Sequence, residues 1–273
     1  MTPHTAYTAY TAYTALRLVE VLASAGVLLG SLERLARPRA LDDASLASWP
    51  VLRLRRPGYA TGVTGAVLTP LVAYPAVLGL HGLRAAAAAG CLWPTAGPVH
   101  AALLGLVVVT GAVLTLRGGQ GGEGADQLLR IVFCALLLAA VHPTATTARL
   151  VLWFLALQVC LAYFVSGLYK VTSRTWLDGS ALTGILTTRA YGHPAVAARL
   201  LAHPAATRWL SRAVSLAETL FPLVLLAPPA WLPLFLAAGL AFHVACAALM
   251  GLNCFVWAFA SAYPAVAYVV LTT

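Results

Sequence analysis

The chain has 273 residues, of which 61% are hydrophobic and 9% charged, and its mean hydropathy is +0.86. Soluble domains carry about 25% charged residues, so this composition excludes an ordinary water-soluble fold and predicts an integral membrane protein. The net charge of +9, from 17 Lys and Arg against 8 Asp and Glu, would suit a nucleic-acid binder on a soluble protein; here the arginines fall between apolar runs, where they read as topology signals and headgroup contacts, so the expected partner is the lipid bilayer and not nucleic acid.

The N-terminal residues 1–15 hold a TAY tripeptide three times in register and lack both a basic start and an apolar signal core. They are expected to form an uncleaved tail, disordered or lying at the interface. Residues 16–273 then form one transmembrane domain. Apolar stretches of about 20 residues, the length a bilayer requires, fall near 16–36, 62–83, 98–116, 127–142, 148–171, 209–227, 231–250 and 252–271. The fold class is therefore all-α: a multi-pass helix bundle of about eight spans with no soluble domain, expected in the cell membrane. Pro70 and Pro75 interrupt the second stretch, which neighbouring helices can tolerate in lipid.

Between the spans, LDDASLASWP (residues 41–50) reads as an amphipathic turn with Trp49 at the interface. RGGQGGEGAD (residues 117–126) reads as a flexible connector, because it lacks the GK[ST] ending and the preceding strand of a phosphate-binding loop. Arg34, Arg37, Arg39, Arg53, Arg55 and Arg56 follow the first span, and Arg174, Arg189, Arg199, Arg208 and Arg212 follow the fifth. The loops of opposite parity hold little beyond Arg84 and Arg149. With eight crossings, the excess of positive charge on cytoplasmic loops places both termini outside. The five cysteines form no CxxC or CxxH pair, so no metal site is expected.

Ionisable groups inside spans are costly and are functional candidates for that reason. Glu20, Lys170, Glu218 and His243 qualify, with Gln158 and Asn253 as nearby polar groups. Each has a plainer explanation. Lys170, near a helix end, can snorkel to headgroups; Glu218 can pair with a neighbouring helix; His243 can be a satisfied core histidine; Glu20 can pair with Arg17 one turn earlier. Taken together, a lysine, a carboxylate and an imidazole on successive helices can converge on one cavity.

The run YFVSGLYKVTSRTWLDG, followed by ETLFP and FHVACAALMGLNCFVWAFASAYP, resembles the membrane core of the HTTM family. That family contains vitamin K-dependent gamma-carboxylase and bacterial relatives, and the chain is most similar to the short bacterial members resembling sporulation-delaying protein B. The similarity covers roughly residues 127–264, and its most specific part is Tyr-Phe-x-x-Gly-x-x-Lys followed by Trp-x-Asp-Gly. It implies that Lys170 is a catalytic base toward a quinol, such as menaquinone or a vitamin K-like hydroquinone, with Glu218 and His243 orienting or relaying protons. Tyr163, Phe164, Trp176 and Asp178 are then expected to flank the ring. The implied partners are a secreted peptide precursor and a small partner protein. A non-catalytic scaffold or immunity-type protein is the competing expectation. A transporter is the third, disfavoured because the two halves show no inverted repeat.

Overall fold

A computed structural model describes residues 3–45, 48–55, 57–118 and 124–273. Among these the chain is helical, without strands. In order the α-helices are α1 (Pro3–Leu35), α2 (Trp49–Leu52), α3 (Gly62–Val72), α4 (Ala76–Leu92), α5 (Gly97–Gly118), α6 (Gly124–Val141), α7 (Ala145–Val171), α8 (Arg174–Leu177), α9 (Ser180–Leu186), α10 (Pro194–Ala202), α11 (Pro204–Leu220), α12 (Leu232–Met250) and α13 (Asn253–Thr272). Two compact units divide the chain: residues 1–15 with 152–273, and residues 16–151.

Among the described residues, six helices are long and apolar enough to cross a membrane, which makes this a multi-pass membrane protein; a seventh crossing results if the α3–α4 pair is one broken span. The stretch expected at 209–227 is not among them. Helix α11 stops at Leu220, and Phe221–Leu225 continues as a tighter 3₁₀ turn around Pro222, whose ring and missing N–H end an α-helix. Its polarity also runs inward: Thr207, Ser211, Ser215 and Glu218 are buried, while Trp209, Leu210, Leu216 and Leu220 are exposed. The orientation drawn from eight crossings no longer follows.

The N-terminal residues expected as a tail are helical from Pro3 and continuous with the first span. The connector expected at 117–126 lies largely outside the described residues, as do two residues of the 41–50 turn. Trp49 is corrected outright: it is buried, not interfacial, packing with Leu68 and Val72. Its indole N–H donates to Thr69 Oγ1 at 3.3 Å, so the polar end of the ring finds its partner inside the protein.

In the unit of residues 16–151, α3 and α4 meet at a 71° bend, because Pro75 cannot continue the helical hydrogen-bond ladder. The bend moves the second helix along the chain. Arg84, expected just outside a span, sits in the middle of α4. Carbonyls freed at helix ends are met by arginines. Arg17 donates to Cys91 O at 2.7 Å and Leu92 O at 2.6 Å at the end of α4, and Arg117 donates to Val72 O at 3.0 Å at the end of α3. These are charge-assisted caps of otherwise orphaned acceptors. Glu20 takes its plainer role, paired with Arg17 at 3.1 Å and with His100 at 2.9 Å.

In the unit of residues 1–15 and 152–273, Gly251 closes α12 in the left-handed region (φ +72°) and returns its N–H to Ala247 O at 2.9 Å. Glycine takes that conformation without steric cost. The short turn sets α12 and α13 side by side. The Trp-Leu-Asp-Gly run is held from α11, where Ser211 Oγ donates to Trp176 O and Arg212 Nε donates to Leu177 O.

Candidate functional site

The site begins with the periodicity of α7. Tyr163, Ser166, Gly167 and Lys170 are spaced i, i+3, i+4, i+7, which puts them on one helical face. That face meets α11 at Gly167. A Cβ there would collide with the backbone nitrogen of Thr219, so only glycine lets the two backbones touch. Three residues beyond Gly167 is Lys170; the residue before Thr219 is Glu218. The contact therefore sets their register, and Lys170 Nζ donates to Glu218 Oε2 in an ion pair. Ser166 sits beside both, accepting from Lys170 Nζ at 3.0 Å and donating toward the Glu218 carboxylate at 3.4 Å. Lys170 Nζ also lies 5.0 Å from the centre of the Trp176 ring and 5.6 Å from that of Phe242, within range for cation–π attraction.

One turn back along α7, Tyr163 reaches α12 and α13. His243 Nε2 and the Tyr163 hydroxyl are 2.8 Å apart, and the Tyr163 and Tyr263 hydroxyls 2.7 Å. The rings pack closely: Tyr163 stacks on Phe221 at 4.0 Å and His243 on Phe259 at 3.9 Å. The two hydroxyls meet over Gly239. A Cβ on Gly239 would stand 2.8 Å from the Tyr163 oxygen and closer still to that of Tyr263.

These side chains line a cavity of about 120 Å³, bordered by Tyr163, Ser166, Lys170, Glu218, His243 and Cys246 and by the rings of Phe242, Phe255 and Phe259. The expected convergence of Lys170, Glu218 and His243 from three helices is thus found in one hollow. His243 Nδ1 is buried there without a hydrogen-bond partner among the described residues. Phe164 points elsewhere: it is 40% exposed and does not border the cavity, as expected one residue, or 100°, around the helix from Tyr163. Asp178 is exposed and does turn work, accepting the Ser180 N–H at 2.9 Å. Hydrogen bonds from the Ser180 side chain and backbone hold its carboxyl below the usual carboxylate range. Trp176 flanks the lysine but not the cavity. Ser166, Cys246, Tyr263 and the three phenylalanines were not singled out from the sequence. Only Ser166 carried a signal, its i−4 spacing from Lys170.

Chemically, the Lys170–Glu218 pair can exchange one proton. Transfer from Nζ to Oε2 leaves a neutral amine, able to accept a proton from a group entering the cavity, beside a neutral acid able to give one up through Ser166. Comparison with protein-family models, curated proteins and solved structures finds no match. The HTTM resemblance is carried by the motif alone. The cavity's volume is about 120 Å³. At about 30 Å³ per water, a few waters or one small polar side chain would fit.

Proposed function

We propose that the protein is a membrane enzyme of the HTTM type, or the membrane half of one. It acts in the cell membrane on a secreted peptide precursor, together with a small partner protein. Lys170 and Glu218 serve as the acid–base couple, and His243 holds and relays a proton through Tyr163. The observation that supports this is the meeting of three ionisable side chains, from α7, α11 and α12, around a single cavity. Perturbed acids and bases are housed in such places.

The test is mass spectrometry of the peptides secreted by the native host carrying the wild-type chain, Lys170→Ala or His243→Gln. Loss of one modified species in both variants, with its unmodified precursor accumulating, supports the enzyme. An unchanged peptide profile sinks it. A lipid extract of the purified protein adds a second readout: menaquinone that co-purifies with the wild type and is lost in Lys170→Ala would show that the cavity opens for a quinol.

A second reading is favoured by the pairing of Lys170 and of His243 Nε2. Lys170 has Glu218 and Ser166, and His243 Nε2 has Tyr163. A network paired in this way can simply hold helices together, as in a scaffold or immunity-type protein. In that case neutral replacements of Lys170 and Glu218 made together preserve the biological activity.

A further inference from the structure

A different kind of site lies in the unit of residues 16–151. Helices α4, α5 and α6 border a cavity of about 70 Å³. Two of its walls are arginines, Arg84 from α4 and Arg130 from α6; most of the rest is apolar, including Val107, Ala112, Leu129 and Phe133. Arg84 Nε is buried without a hydrogen-bond partner among the described residues. Arg130 spends one of its donors on Thr115 Oγ1 at 3.0 Å, leaving others of its five free. One carboxylate, Asp126, acts electrostatically on Arg84 together with Arg130. Among the described residues, two positive charges against one negative leave the group a net cation in apolar surroundings.

Depth also matters. Arg130 is six residues into α6 and Arg84 eight residues into α4, roughly 9 and 12 Å from the helix starts at 1.5 Å per residue. Short links make α4, α5 and α6 alternate in direction, so both starts lie at the same end of the trio. The two arginines therefore lie at similar distances from the same end of the trio. An arginine inside a span costs at least a few kcal/mol unless something compensates it. Guanidinium forks match the oxygens of a phosphate group two at a time.

We propose that Arg84 and Arg130 form a binding site for a phosphate-type oxyanion in the α4–α6 cavity. The group comes either from an anionic lipid headgroup or from free phosphate. The site is separate from the acid–base cavity and holds whether or not that cavity is catalytic.

The experiment uses the full-length protein in detergent, titrated with phosphatidylglycerol or with inorganic phosphate and followed by native mass spectrometry and thermal shift. Arg84→Gln and Arg130→Gln are each expected to weaken binding about fivefold, the equivalent of roughly 1 kcal/mol per basic residue. Arg199→Gln, an arginine on α10 in the other unit, is expected to leave it unchanged. Response to phosphatidylglycerol alone identifies the lipid headgroup as the source, and saturation by phosphate alone identifies the free anion. Ala112→Leu fills the cavity without touching a charge and is expected to weaken binding as much as either arginine variant. It guards against a folding defect in the arginine variants. Binding that survives Ala112→Leu and both glutamine variants, or that falls equally in Arg199→Gln, overturns the site.

Discussion

The two cavities hold their charges differently. Around Lys170 the ammonium has a carboxylate and the carboxylate also has a serine hydroxyl, while the imidazole has a phenol on Nε2 and no partner on Nδ1 among the described residues. Among the described residues around Arg84 and Arg130 the cations outnumber the nearby carboxylate, and a buried guanidinium nitrogen has no acceptor. A charge paired with its opposite is stable as it stands, and anything the pair does chemically must be done by moving a proton within it. An unsatisfied one is completed only by something from outside. Polar burial in a membrane helix thus signals function in two ways, and the tally of donors and acceptors separates them.

The comparison breaks most severely if one half of the Lys170–Glu218 pair is removed. Lys170→Ala leaves a buried carboxylate alone and is expected to destabilise the protein by about 3–5 kcal/mol, whereas Lys170→Met combined with Glu218→Leu costs far less. Thermal unfolding in detergent measures both. Equal losses from the single and the double variant would mean the pair does not behave as a buried unit.

Next in size is Gly167→Ala, which pushes a methyl into the α11 backbone. Overpacking of this kind costs about 1–3 kcal/mol, and cross-linking between cysteines introduced on α7 and α11 would report the helices moving apart. Tyr163→Phe leaves His243 Nε2 and the Tyr263 hydroxyl without their shared partner, at about 1–3 kcal/mol for a buried group left unmade. Tyr263→Phe strands only one hydroxyl and should cost less. Smallest is Asp178→Ala. With its carboxyl exposed and serving a turn, it should leave both the peptide profile and the melting temperature nearly unchanged, and a large loss of peptide maturation would return it to the active region.

Much of the acid–base cavity was legible in the sequence. Lys170, Glu218 and His243 stand out because charge in an apolar run is expensive wherever it occurs. Helical periodicity alone would have added Ser166 and set Phe164 aside, since positions 163, 166, 167 and 170 share a face and 164 does not. Tyr263 was out of reach: it lies 100 residues from Tyr163, and no local pattern says that two distant phenols meet. Arg84 was misplaced for a different reason. A single hydropathy window runs through Pro75 without registering the 71° turn that re-sets the helix. Trp49 went wrong because aromatic residues near span ends favour the interface on average, while this one has Thr69 to receive its N–H. The stretch expected at 209–227 is not among the six candidate spans, because α11 turns its polar side chains inward and stops before Pro222.

Gly239 offers no chemistry of its own, yet it sits beneath the meeting point of two phenols from α7 and α13. A sliding step of α12 by one residue in either direction would bring Ala238 or Leu240 under the same oxygens, and neither side chain has anywhere to go. The glycine therefore works as a notch that only one axial setting of α12 can occupy, and His243, one turn along, inherits its height from that notch. A saturation screen for lost activity should find position 239 as intolerant as any of the charged positions.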